Sequence, residues 1–420
     1  PNVVGIDIPW HAPNRPDIAA RALNTNSLQS IDTNSATGQL NQKVGSKDML
    51  VFRYGFTSQH VTAFQFVKGQ NPDTDNKSHN ARITWNRTLS PRTVVDLSAG
   101  FDRVGSQLLP TADAVGPVYL NGLQILGPNS NIPIDRATNQ FRYNASVQQR
   151  RGSHILAAGF GGTRAQFNGY DSEGARATLQ FRDDFGRDMI TNLRMGAAST
   201  YSVAIGQIAR GFRNWELQAF AGDQWTVSPK LTVNYGIRWE PWTRPVDVTG
   251  LSHLKIHSDW NNIGGNAGFA YRLPKGVLRG AAAVLDGQIY PINYAQDRFN
   301  PPYNVYAYVQ APDIAHPLQG LTAADLNGTG RAVRFDLDPN FATPYSYQYN
   351  LSWENEFARG WKLQLGYVGS STQKLFHTFQ TNRGGFVEGI PFTTVTTNLR
   401  RPDPSLYQRF YTLNAARAFS

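Results

Sequence analysis

The sequence predicts an all-β fold, an antiparallel transmembrane β-barrel with long extracellular loops, and three observations carry that expectation. Apolar and polar residues alternate with period 2 over long segments. The connections between these segments are short at one end and long at the other, as in barrels with tight periplasmic turns and long extracellular loops. Finally, Trp residues recur at about the ten-residue spacing that a tilted strand needs to cross the hydrocarbon.

Residues 1–37 read as loop, with a short helix near Asp17 to Leu23. The first alternations are Leu50, Phe52, Tyr54, Phe56, then Ala81, Ile83, Trp85, then Val95, Leu97, Ala99, Phe101. Phe141 to Val147 and Ala175 to Phe181 repeat the pattern. The clearest strand is 231–240, where Leu231, Val233, Tyr235, Ile237 and Trp239 oppose Thr232, Asn234, Gly236, Arg238 and Glu240. Tyr345 to Trp353 and Trp361 to Tyr367 follow the same rule. Tight turns are expected at 45–48, 90–92, 150–152, 228–230, 273–276 and 358–360, from their Gly, Pro and Ser content. Long polar connections lie at 58–76, 105–139, 244–262 and 288–343. In 184–210, parity demands another strand near Tyr201, Val203 and Ile205. The strand total is about fourteen between residues 38 and 371, with 372–420 read as an extracellular loop segment.

Trp215 and Trp225 sit ten apart on one strand, and Trp239 returns an aromatic to the far end of the next. Two aromatic girdles fit this placement. Soluble strands average about five or six residues, shorter than these segments.

Composition narrows the function. Of 420 residues, 9 are Trp, 18 Tyr and 23 Phe, while charged residues make up 17%. The absence of Cys excludes thiol catalysis and Cys-ligated metal. No stretch supplies the roughly 20 apolar residues of a membrane-spanning helix, which leaves barrels untouched. The net charge of +10 is dispersed, so nucleic acid is not an expected partner.

From residue 210 onward the motif order resembles that of TonB-dependent outer-membrane receptors, in particular the Oar-like group with a carboxypeptidase-regulatory-like domain. The matching pieces are Trp215 to Pro241, Asn262 to Tyr271, Val277 to Gly280, Asn300 to Tyr303 and Thr343 to Ser370; Ala12 to Leu23 and Asn41 to Tyr54 add to them. The series Trp225 to Glu240 (WTVSPKLTVNYGIRWE) is the most specific. The resemblance implies a 22-stranded barrel, a plug domain and an energy-coupling TonB complex in a Gram-negative outer membrane. Neither plug nor coupling box is visible, so a central barrel fragment is expected, with residues 38–371 as its strands and loops.

The expected function is passage of a substrate (oligosaccharide, peptide or chelate) across the outer membrane, with the membrane lipid as the other partner. Lumen-facing candidates are Asn234, Arg238, Glu240, Gln348, Asn350, Glu354, Lys362 and Gln364. Substrate-loop candidates are Tyr294, Phe299, Asn300, Tyr303, Tyr306 and Tyr308, whose rings and amide suit sugars or peptides. A passive porin and a soluble carbohydrate-binding or adhesion protein remain alternatives.

Other motifs carry weaker chemistry. Asp325, Asn327, Thr329 and Asp336 take positions 1, 3, 5 and 12 of a calcium-type loop, with Gly330 at 6. Asp in place of Glu at position 12, together with Arg331 and Arg334, favours an ordinary turn, and calcium is the one cofactor raised. His253 and His257, with Asp259, lack a helix to present them together. Gly159 to Gly162 lies in a strand, and Asp183-Asp184 reads as a turn. No nucleophile motif is present, so no enzymatic activity is expected.

Overall fold

The computed structural model describes residues 2–3, 6–7, 17, 28–64, 71–110, 118–120, 127, 129–320 and 332–419. Two short strands, β1 (Asn2–Val3) and β2 (Ile6–Asp7), pair with each other. The wall opens with β3 (Ser30–Val44), β4 (Asp48–Thr62), β5 (Asp73–Ser90) and β6 (Thr93–Leu109). Loop strand β7 (Val118–Leu120) precedes wall strands β8 (Ile134–Arg151) and β9 (His154–Asp171). The next loop holds β10 (Thr178–Phe181), helix α1 (Met189–Arg194) and β11 (Thr200–Gly206) before wall strands β12 (Arg210–Ser228) and β13 (Leu231–Trp239). After β14 (Val246–Asp247) come β15 (Ile263–Arg272) and β16 (Val277–Asp286). The long loop that follows carries α2 (Pro291–Tyr294), a 3-10 turn (Ala295–Phe299), β17 (Asn304–Gln310) and β18 (Ala332–Leu337). Wall strands β19 (Tyr345–Ala358) and β20 (Trp361–Gln380), helix α3 (Thr394–Leu399) and β21 (Leu406–Phe419) complete the order.

The main sheet runs β3-β4-β5-β6-β8-β9-β12-β13-β15-β16-β19-β20-β21-β18, with β14 attached to β12. Every wall neighbour is antiparallel, while β18 lies parallel to β21. All six expected tight turns are present. At two of them Gly is required: Gly152 has φ +59° and Gly360 φ +82°, the left-handed region that a Cβ penalises. Long connections gather at the opposite end of the strands.

Four readings of the sequence need correction. β3 starts at Ser30 rather than 38, because Ile31 to Thr37 rise beyond the membrane band, where neither face needs to be apolar. For the same reason the segment 372–420 is not all loop: β20 continues to Gln380 and β21 follows. Thr178–Phe181 and Thr200–Gly206 are strands, but not wall strands. They join β7 and β17 in a four-stranded sheet built from loops. Parity is kept because β9 pairs directly with β12. Of the helix expected near Asp17 to Leu23, residues 18–23 lie outside the described residues.

Register fixes the faces. Leu231, Tyr271, Leu278 and Trp353 stand in one cross-strand row, and Asn234, Gly268, Ala281 and Asn350 in another on the opposite face. Apolar side chains of the first face, such as Ile237, Leu351, Leu365 and Tyr367, are exposed, as lipid contact requires. The loops pack on the second face: Phe167 and Phe212 on the wall meet Trp242, Ile256, Ile289, Tyr294 and Phe341 from the loops in one buried cluster. The polar face is therefore the inside.

Candidate binding site at the loop end of the lumen

The loop cap is held by two buried arginines. Arg210, at the start of β12, donates from Nε to Ser252 Oγ (2.8 Å) and from Nη1 to the carbonyls of Gln207 (2.6 Å) and Ala209 (3.0 Å). Its counter-ion is Asp247, whose carboxylate also accepts the amides of Gly211, Thr249, Leu251 and Ser252 and the Thr249 hydroxyl. Burial works against ionising Asp247, but these hydrogen bonds win and hold its carboxyl below the usual range. Arg298 lies 3.7 Å from Asp171 with its guanidinium over the Phe167 ring (5.3 Å), and burial lowers its pKa to about 10.

Against this cap lies a cavity of about 570 Å³, a volume typical of small-ligand sites. Tyr294 and Asp297 line it from the α2 region, Lys255 from the loop after β14, and Phe376, Arg409 and Tyr411 from β20 and β21. Parallel pairing of β18 with β21 sets Arg334 beside Arg409. Both guanidiniums donate through Nε to one carboxylate, Asp336, at 3.0 and 2.7 Å. Among the described residues their Nη groups have no other hydrogen-bond partner, and guanidinium donors of this kind are suited to pairing with an acidic group. Tyr411 donates to Asp338 (3.1 Å). Burial raises the Asp297 carboxyl, opposed by hydrogen bonds from Ser252 and Asn300 and by Arg210.

The structure distributes the expected site residues unevenly. By register and alternation, Asn234, Arg238, Glu240, Gln348, Asn350, Glu354, Lys362 and Gln364 all stand on the inner face. Arg238 donates to Glu240 (2.6 Å), and Glu354 accepts from Arg279 (3.1 Å). The substrate-loop candidates do not form one exposed stretch. Tyr294 and Phe299 are buried, Tyr294 edge-on to Phe212 at 5.3 Å. Asn300 exchanges hydrogen bonds with both backbone groups of Phe335. Tyr306 and Tyr308 line a second cavity of about 400 Å³ with Phe299, and only Tyr303 is well exposed.

Of the calcium-type loop, Asp325, Asn327 and Thr329 lie outside the described residues, while Asp336 is the partner of two arginines. His257 offers its amide to Pro339, and Asp259 accepts the Thr343 amide (2.8 Å). Among the described residues no group of three His, Asp or Glu is arranged around a metal position. Asp183 and Asp184 are turn residues: the first accepts the Met189 amide, and the second pairs with Arg187 through the backbone. Gly159 lies under the Phe220 ring, where a Cβ would come within 2.5 Å of Cε1. Sequence reasoning missed Lys255, Arg334, Phe376, Arg409 and Tyr411. Nothing local marks them: the parallel pairing of β18 with β21 brings Arg334, Arg409 and Tyr411 together, and Lys255 and Phe376 reach the cavity from other segments.

The outer membrane beta barrel domain family matches residues 8–418. The chain belongs to this family. An outer membrane beta barrel domain places the protein in the bacterial outer membrane and removes the soluble reading. No curated protein matches the chain by sequence. Among solved structures the barrel is similar to the outer membrane transporter YddB from Escherichia coli, with TM-score 0.57 and 9% identity over 92% of this chain and 43% of that one. It is also similar to the siderophore receptor PirA from Acinetobacter baumannii (TM-score 0.55, 10% identity, 93% and 49%). The third is FpvA from Pseudomonas aeruginosa bound to a heterologous pyoverdine (TM-score 0.54, 9% identity, 93% and 46%). The chain spans about half the length of each of these structures. At such identities the likeness is one of barrel fold.

Proposed function

We propose that this barrel domain forms wall and extracellular loops of a TonB-dependent outer-membrane receptor that captures its substrate in the loop-lined cavity and admits it to the periplasm. The carrying observation is the cavity itself: it lies against the loop cap, and it is lined by arginines beside aromatic rings. A passive porin needs an open lumen, whereas here loop residues pack a buried cluster against the inner wall. The activity is non-enzymatic. The Trp225 to Glu240 series supports membership of the Oar-like group. One solved neighbour is a siderophore receptor and another is bound to a pyoverdine–iron complex, which supports a ferric chelate as the substrate class.

The test is uptake of labelled iron by cells carrying the full-length protein as sole receptor, offered as ferripyoverdine or as a ferric catecholate. Uptake should be lost in an Arg334→Gln, Arg409→Gln double variant and when a protonophore collapses the inner-membrane gradient. Uptake that survives the protonophore would establish a passive pore instead, and failure with both probes would remove the chelate reading.

A further inference from the structure

The outer face of the wall is not uniformly apolar. One cross-strand row on this face contains Trp215, Arg164, Phe141 and Phe101, and the rows toward the short turns carry Leu217, Tyr143, Ala99 and Ile83, as lipid contact demands. The adjacent row toward the loops reads Arg213, Gln166, Asn139, Arg103 and His79. Three arginines therefore stand on the membrane-facing surface across β6 to β12, at the upper edge of the aromatic girdle. Over β19 the corresponding loop-side positions are Tyr345, Tyr347 and Tyr349, with no arginine among them.

These arginines are held in place without being neutralised. Arg103 donates to Asn139 Oδ1 (2.9 Å), which in turn donates from Nδ2 to Gln166 (3.3 Å). Arg213 donates to Asn168 Oδ1 (2.7 Å) and to the Phe212 carbonyl (2.8 Å). The Arg164 guanidinium lies over the Trp215 ring at 5.6 Å. Among the described residues no carboxylate is in ion-pair contact with any of the three. Of the acidic groups farther up this face, Asp75 pairs with His60 (2.8 Å), while Asp135, held by the Gln107 amide (3.1 Å), stands two rows above the arginine row. Snorkelling explains an isolated arginine at a membrane edge. It does not explain three that are braced by neutral amides and rings at the level where headgroups begin. Amide bracing keeps the full positive charge and pre-organises the donors, which is what a phosphate ester requires.

We propose that the strip Arg103, Arg164 and Arg213 is a docking site for the phosphorylated headgroup of an outer-leaflet lipid, whose acyl chains would lie along Phe101, Phe141 and Tyr143. Charge complementarity and continuity with the apolar wall point to a lipid rather than a soluble anion. The site is separate from the substrate cavity, which none of these three arginines lines.

The experiment uses the full-length protein in detergent and native mass spectrometry, with phosphatidic acid and phosphatidylcholine as probes. The wild type should retain phosphatidic acid preferentially, and each Arg→Gln change should weaken retention about fivefold, the effect of one basic side chain beside an anionic surface. A Tyr345→Phe, Tyr347→Phe control should leave the preference intact, and 10 mM inorganic phosphate should not displace the lipid. Unfolding is monitored by heat-dependent gel mobility, so that a variant that fails to fold is replaced by its Arg→Lys counterpart, which should keep most of the preference. Equal retention of both lipids by the wild type, an unchanged preference in the folded triple Arg→Gln variant, or displacement by inorganic phosphate would overturn the proposal.

Discussion

Asp247 lies 3.7 Å from the guanidinium of Arg210, and both side chains are completely shielded from solvent. A buried pair of this kind is costly to break on one side, because the remaining charge stays in the interior. Asp247→Ala should therefore destabilise the loop cap by about 3–5 kcal/mol. Hydrogen exchange of the loop amides at 244–252 and 207–211 reads this directly, and protection equal to the wild type would refute it.

The cap should also respond to pH in two opposite ways. Asp247 is held below the ordinary carboxylate range, so its contribution is full above that range and is lost as pH falls through its depressed value. Asp297 is raised, so its contribution is full at low pH and declines as pH climbs through the window just above the ordinary range. Loop protection should thus peak at mildly acidic pH. Asp297→Asn should remove the decline on the neutral side and leave the acid side as it was; a profile unchanged on both sides would contradict the assignment.

The two faces of β13 differ in what they tolerate. Ile237→Arg meets lipid midway between the levels of Trp215 and Trp225 and should cost about 2–4 kcal/mol, while Asn234→Arg on the inner face should cost little. Unfolding in vesicles compares them, and equal penalties would reverse the faces.

Inside the barrel, Gly159 makes room for the Phe220 ring. A methyl group there would come within 2.5 Å of Cε1 and 2.9 Å of the Ala145 carbonyl. Gly159→Ala should therefore cost about 1–3 kcal/mol, and adding Phe220→Ala should recover the part due to the ring but not the part due to the backbone. Strict additivity of the two changes would show that the ring and the glycine are not coupled.

How much of this was legible in the sequence depended on whether a residue meets lipid. Inside the band the alternation is forced, so Leu231 to Glu240 and Tyr345 to Glu354 could be read with their faces. Above the band water satisfies either face, and the signal vanished: Ser30 to Thr37 and Leu406 to Phe419 form strands that no pattern announced. Thr178 to Phe181 alternates just as well, but its apolar side packs against Val118, Leu120 and Leu193 rather than lipid, so periodicity assigned it to the wrong sheet. The cavity was invisible for a different reason. Arg334 and Arg409 become neighbours through a parallel pairing across the sheet, and nothing near either residue encodes it.

Each wall position answers a single question, greasy or wet, and many side chains give the same answer. A wall built this way carries little information per residue, so a barrel can exchange most of its letters and keep its shape, as the 9% identity with YddB at a TM-score of 0.57 illustrates. The mouth obeys another rule. Asp247 receives five hydrogen bonds from the protein besides facing Arg210, and no other side chain has its length, charge and two acceptor oxygens together. Drift should accordingly run fast along the staves and slow at the clasp, and kinship among such proteins is better judged from a few interlocked loop residues than from an overall percentage.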